Sequence, residues 1–232
     1  MSVPVVDRIA DQIAQIRQTL PASVRLIAVS KQVSVDAMRQ AYAAGIRDFG
    51  ESRVQETEWK QAELADLPDI TWHLIGHLQG NKATKAVQMF DWIHSVDSLE
   101  LAQRLDRLVA HAARSPQVCL QVKLRPDPQK FGWDAAQLLA DLPQLDQCHH
   151  LQIRGLMTIA PLGLTEAELL SLFQDTRTLA DRIQTAGYVH LSMQALSMGM
   201  SGDYAIAVQA GATMIRLGRV LFGDRPAAAP TG

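Results

Sequence analysis

Val24-Arg25-Leu26-Ile27-Ala28-Val29-Ser30-Lys31 is a short apolar run that stops abruptly on a serine and a lysine. A run of this length and composition reads as a strand buried on both faces, the kind found in parallel sheets. Seven more segments of the same type follow: Arg47 to Gly50, Thr71 to Gly76, Trp92 to Val96, Val118 to Leu124, Ile153 to Ile159, His190 to Leu196 and Thr213 to Leu217. Helical patterns fill the gaps between them. From Ser98 to Ala113, apolar Leu101, Ala102, Leu105, Leu108, Val109 and Ala112 share one face. Thr165 with Glu168 has the spacing of a capping box that opens a long helix. One further helix, about Val5 to Leu20, precedes the first strand.

Strands alternating with helices make a parallel α/β fold. Eight is the closure number of the (β/α)8 TIM barrel, and 232 residues suit it. A doubly wound open sheet is the alternative, because order along the chain does not fix closure. No linker divides the chain, so residues 1–225 are expected to form one domain, with a flexible tail from Pro226 to Gly232.

Composition excludes several classes. Hydrophobic residues are 47% and charged residues 20% of the chain, with a formal charge of -2 and no block of one sign. That leaves no electrostatic footprint for nucleic acid. No apolar run approaches the ~20 residues a membrane span needs. Cys119 and Cys148 are far apart without metal-type spacing, and Cys119 reads as a buried thiol. Asp7, Arg8 and Asp11 occupy the place where a signal peptide needs apolar residues, so a cytoplasmic protein is expected.

Chemistry in a parallel barrel gathers at the C-terminal strand ends. Lys31 follows the first strand directly, where its amine would project into the barrel mouth. Partly desolvated there, it would act as a nucleophile toward an aldehyde; a solvated rim lysine is the other reading, and position alone does not choose. The segment Ser197-Met198-Gly199-Met200-Ser201-Gly202 precedes a helical stretch, Asp203 to Ala210; by itself it reads as a plain turn, and beside a helix N-terminus it could also serve as a phosphate loop. Arg216-Leu217-Gly218-Arg219 ends the eighth strand. Phosphate sites in this fold are built by the loops after strands seven and eight. With a lysine ending strand one, the pattern suggests a phosphorylated aldehyde cofactor.

These motifs, in this order, resemble the pyridoxal phosphate homeostasis family, a single-domain relative of the alanine racemase barrel of fold-type III. The resemblance rests on Ala28-Val29-Ser30-Lys31, Phe49-Gly50-Glu51, His73-Leu74-Ile75-Gly76-His77 with Asn81-Lys82, His94-Ser95-Val96-Asp97, Gly155-Leu156-Met157, Leu196 to Ser201 with Asp203, and Ile215 to Gly218 with Phe222-Gly223. It implies an aldimine between pyridoxal phosphate and Lys31. It places Ser197, Gly199, Ser201, Gly218 and Arg219 in the phosphate-binding loops, and Arg216 against the pyridine nitrogen. Such an arginine keeps that nitrogen unprotonated and weakens the ring as an electron sink. The chain departs from the family pattern at Ser52-Arg53, where Asn-Tyr is usual. It departs again at Asp127 to Gly132, where only the lysine and glycine of Lys-Ser-Gly persist.

The function implied is buffering and delivery of the cofactor inside the cell, to apo-enzymes that need it, by a monomeric protein without substantial turnover. The alternative is an amino-acid racemase or decarboxylase. The chain ends shortly past Leu217, so the β-domain that gives racemases their second base is expected to be absent. His73 and His77 have no third ligand spaced for zinc and read as core or rim residues. Glu51 could be a catalytic carboxylate or a neutraliser of mouth lysines, and the second reading is preferred. Trp72, Trp92 and Trp133 read as packing residues. Lys82 could start a rim helix or face the cofactor.

Overall fold

The computed structural model describes residues 5–223, so the tail from Pro226 lies outside the described residues. Helix α1 (Val5–Thr19) leads into β1 (Arg25–Val29), α2 (Val35–Ala43), β2 (Asp48–Glu51), α3 (Val54–Glu63) and β3 (Thr71–Leu74). A 3-10 turn at Gly80–Lys82 then precedes α4 (Ala83–Met89), β4 (Trp92–Val96), α5 (Leu99–Val109), β5 (Gln117–Val122) and α6 (Ala135–Leu145). The chain closes with β6 (Gln152–Thr158), α7 (Glu166–Thr185), β7 (Leu191–Ser197), α8 (Tyr204–Gln209), β8 (Met214–Leu217) and α9 (Arg219–Phe222).

All strand pairs are parallel and the sheet is a closed barrel in sequence order. Closure is made by β1 against β8, from Arg25 opposite Met214 to Ala28 opposite Leu217, which rules out the open sheet. Each expected strand is present, with ends moved by one or two residues. The largest change is in β5, which leaves the sheet after Val122 because Trp133 returns beside it: the Trp133 amide donates to the Gln121 carbonyl and Lys123 donates to Trp133. The short α9 was not expected.

The period-2 alternation of strands sorts side chains into two cores. Leu26, Ala28, Val118, Leu120, Ile93 and Leu156 point outward into a large shell packed against the helices. Ile27, Trp92, Cys119, Met157, Ala195 and Met214 point inward and form a separate cluster inside the barrel. The inward series on β1 therefore runs Ile27, Val29, Lys31. On β8 it runs Met214, Arg216, Gly218. The pleat thus carries both series to the same mouth.

Candidate functional site

At the C-terminal mouth lies a cavity of about 500 Å3, lined among others by Val29, Lys31, Ser201, Arg216, Gly218 and Arg219. Its volume falls in the range that holds a small ligand. Beyond Lys31 the backbone turns sharply: Gln32 has φ 60°, a left-handed conformation unusual for a residue with a Cβ. The Gln32 amide donates to Glu56 Oε1 at 2.5 Å, which holds that turn.

Behind the turn sits a buried ionic knot. Lys60 is wholly buried and its ammonium donates to the Ser30 carbonyl at 2.7 Å, to Glu51 Oε1 at 2.8 Å and to Glu56 Oε1 at 2.7 Å. The Ser30 hydroxyl also donates to Glu51 Oε1, at 2.7 Å. Burial pushes the Glu51 carboxyl above the usual range, against the opposing pull of Lys60. For Glu56 burial works in the same direction, but the bonds from Lys60 and Gln32 outweigh it and its pKa is lowered. The knot fixes the residues on both sides of Lys31. Glu51 thus neutralises a lysine, as expected, but one buried behind the strand ends and not at the mouth.

The floor of the cavity is Arg216, 4% exposed. Burial lowers its pKa to about 10, partly opposed by Asp203, so it stays charged at neutral pH. It donates to the Thr158 carbonyl at 2.9 Å and to Ser197 Oγ at 2.7 Å. From there a chain of hydrogen bonds crosses the barrel interior. Ser197 Oγ lies 2.8 Å from His94 Nδ1, His94 Nε2 is 2.9 Å from His73 Nδ1, and His73 Nε2 is 2.9 Å from Asp48 Oδ1.

The two ends fix the direction of every link. The Asp48 carboxylate only accepts, so a neutral His73 donates from Nε2 and accepts at Nδ1 from His94. That leaves His94 Nδ1 to accept from the Ser197 hydroxyl, itself an acceptor from Arg216. His94 then carries its proton on Nε2 and gives it to His73, which in turn donates to the Asp48 carboxylate. Burial lowers the pKa of both imidazoles, that of His94 well below the usual value. The His73–Asp48 contact is accordingly a hydrogen bond from a neutral ring.

Of the residues expected in the site, Lys31, Ser201, Arg216, Gly218 and Arg219 meet at one cavity. The Gly218 amide lies 3.4 Å from Ser201 Oγ, which joins the two loops after β7 and β8. Ser197 and Gly199 do not line the cavity. Ser197 is fully buried, with its hydroxyl between Arg216 and His94, where it positions the arginine. Gly199 is a turn residue: φ is 95°, and an added Cβ would come within 2.7 Å of Ala207 Cβ. The Met200 amide donates to Asp203 Oδ1 at 2.5 Å and shapes the rest of this loop.

His73 lies in the core and His77 on the rim, where it is bonded to Asp97 at 2.8 Å and stacked on Phe131. Trp72, Trp92 and Trp133 are buried. Sequence reading missed Lys60 and the role of His94. The signal for His94 was its place two residues past Trp92 on an inward-facing strand series. Lys60 offered none, because it sits in a polar helix among ordinary charges.

Residues 5–226 match the family model of the alanine racemase N-terminal domain. The chain is 51% identical over 212 residues to the pyridoxal phosphate homeostasis protein of Synechocystis sp., covering 91% of this chain and 96% of that one. It is 40% identical over 232 residues to the protein of the same name from Pseudomonas aeruginosa, covering 97% and 98%. Among solved structures it is similar to PipY of Synechococcus elongatus with pyridoxal phosphate bound. The TM-score is 0.89 at 60% identity, covering 93% of this chain and 100% of that one.

Proposed function

Since the chain belongs to the alanine racemase N-terminal domain family, and within it to the pyridoxal phosphate homeostasis proteins, we propose that it binds pyridoxal phosphate and buffers and delivers it, without substantial turnover of its own. When bound, the cofactor supplies an aldehyde that an amine can hold and a pyridine ring that can withdraw electrons. The residues present match its three handles. Lys31 would hold the aldehyde carbon, Arg216 would face the ring nitrogen, and Ser201 with the Gly218–Arg219 backbone would take the phosphate. The observation that carries the reading is their convergence, from strands one, seven and eight, on one cavity of about 500 Å3.

The same cavity argues for holding the cofactor over using it. A charged arginine at the ring nitrogen disfavours protonation there and so weakens electron withdrawal. No tyrosine is among the described residues that line it, and the His77 ring on its rim is engaged by Asp97. Recipients would be apo-enzymes in the cytoplasm, served by a monomer. No helix among the described residues is long and apolar enough to cross a membrane.

Visible absorption before and after borohydride tests the attachment. Lys31→Ala should lose the reducible chromophore while keeping a cooperative unfolding transition, because one rim side chain contributes little to the core. A reducible imine retained in full by that variant would move the attachment elsewhere, with Lys82 and Lys130 next to examine.

A further inference from the structure

A second cavity, of about 710 Å3, adjoins the first and shares Lys31, Ser52, Gly76 and His77 with it. Its walls are the segment from Ser52 to Gln55, where the turn after β2 enters α3, and the connection from Gly76 to Lys82 between β3 and α4. Lys31, Arg53 and Lys82 line it, and no aspartate or glutamate is among the described lining residues. Among the described residues, neither the Arg53 guanidinium nor the Lys82 ammonium has a hydrogen-bond or ion-pair partner.

Other cations behave differently. Lys85, one turn beyond Lys82, is ion-paired with Glu58 on the neighbouring helix, and Arg39 and Arg47 are paired with Asp66 and Asp69. No acid is among the described lining residues, and the Arg53 charge is offset only in part by Glu56, which is itself bonded to Lys60 and Gln32. The Arg53 and Lys82 charges therefore favour an anion in this cavity. Helix α3 adds to the positive wall, since it begins after Arg53 with no side-chain cap. These are the elements of the departure at Ser52-Arg53 that the family pattern left unexplained.

We propose that this second cavity binds a phosphate monoester beside Lys31 while the first cavity holds the cofactor. A dianion matches the charge of the wall better than a lone carboxylate does. The volume admits a molecule as large as the cofactor itself. The inference rests on the reading of the first cavity given above. The phosphate could come from two sources, the cofactor's own group on its way out or a second phosphorylated molecule.

The test uses protein loaded with cofactor and fixed by borohydride, titrated calorimetrically with inorganic phosphate at low ionic strength. One saturable event is expected, at least tenfold tighter than acetate, and at least tenfold weaker in Arg53→Ala/Lys82→Ala. The cofactor's absorbance should be the same in both proteins. Absence of a saturable event, equal binding by the double variant, or equal binding of acetate would overturn the proposal. Should no reduced adduct form, the cofactor reading itself fails, and the phosphate event dependent on Arg53 and Lys82 is still measurable on the protein as isolated. Transfer to an apo-enzyme separates the sources: a tenfold slowing in the double variant assigns the site to the departing cofactor, and unchanged transfer assigns it to a second molecule.

Discussion

The amine of Lys31 leaves the barrel two residues beyond the last residue of β1, and a different lysine decides where it goes. Lys60 ties Ser30, Glu51 and Glu56 together from behind, and Glu56 in turn holds the strained Gln32. Replacing it by methionine would strand a buried carboxylate, Glu51, whose second oxygen already has no partner among the described residues. Lys60→Met is therefore expected to destabilise the protein by about 3–5 kcal/mol. Adding Glu51→Gln should recover part of that loss, and urea unfolding of the three variants reads it; no recovery would mean the ion pair is not the source. The buried imidazoles give a second expectation. Their folded pKa values lie below the ordinary 6.5, so the stability they contribute is present above that pH and is lost as pH falls through the range beneath it. At pH 5.5 each imidazole that stays neutral costs about 1.4 kcal/mol relative to pH 7.5. His94→Phe should flatten part of this slope in urea midpoints taken between those two pH values. A wild-type midpoint that does not move would contradict the neutral, directional chain. Of these residues, Lys31 was legible because an apolar strand points at it, whereas Lys60 in Trp59-Lys60-Gln61 looks like any solvated helix charge.

Elements were legible where local rules act alone. The Thr165–Glu168 capping box forms as the spacing predicted, and Ser98 caps α5 through the Leu101 amide. Register was not legible, since parallel strands show the same apolar run on both faces. The β6 strand shows why it matters. Its pairing shifts between Ile153 and Gly155, and there it touches β7 so closely that a Cβ on Gly155 would stand 1.7 Å from the Ala195 carbonyl oxygen. Gly155 thus sets the approach of two strands, and two residues later come Met157 inside the barrel and then the Thr158 carbonyl that holds Arg216. Gly155→Ala is expected to cost about 2–3 kcal/mol by overpacking and to weaken cofactor binding through Arg216. Gly187→Ala serves as the comparison, because φ is 78° there but nothing lies within 4 Å and it lies away from the cavity. It should cost only about 1 kcal/mol of backbone strain and leave binding alone. Equal effects at the two sites in denaturant titrations would refute the close-approach argument. The four-residue α9 escaped notice because Val220-Leu221-Phe222 is too short to show a helical period.

For the whole molecule, closure of the barrel is the feature that turns a list of strand ends into a site. Sequence order placed Lys31 and Arg216 some way apart; the pairing of β1 with β8 sets their strands side by side, with Arg216 opposite Ile27 and Lys31 farther along β1 toward the mouth. The interior beneath them is only half apolar, because His73, His94, Ser197 and Arg216 occupy positions that a barrel ordinarily fills with aliphatic side chains. This polar column fixes the floor of the cavity, while its rim is left exposed, with Phe131 54% and Leu162 96% accessible. A rigid floor under an uncovered mouth favours holding a cofactor that can be given up again. Proton transfer on a bound amino acid needs a base placed over the far face of the ring, and without one the rate falls by about 10²–10⁴. Exchange with an acceptor needs only access. Side-by-side assays should therefore show transfer of pyridoxal phosphate to an apo-enzyme, with racemase and decarboxylase activity far below about 1 s⁻¹ across the common amino acids. Turnover at or above that rate with no measurable transfer would reverse the order of the two functions, and the exposed rim would then have to be read as a substrate entrance.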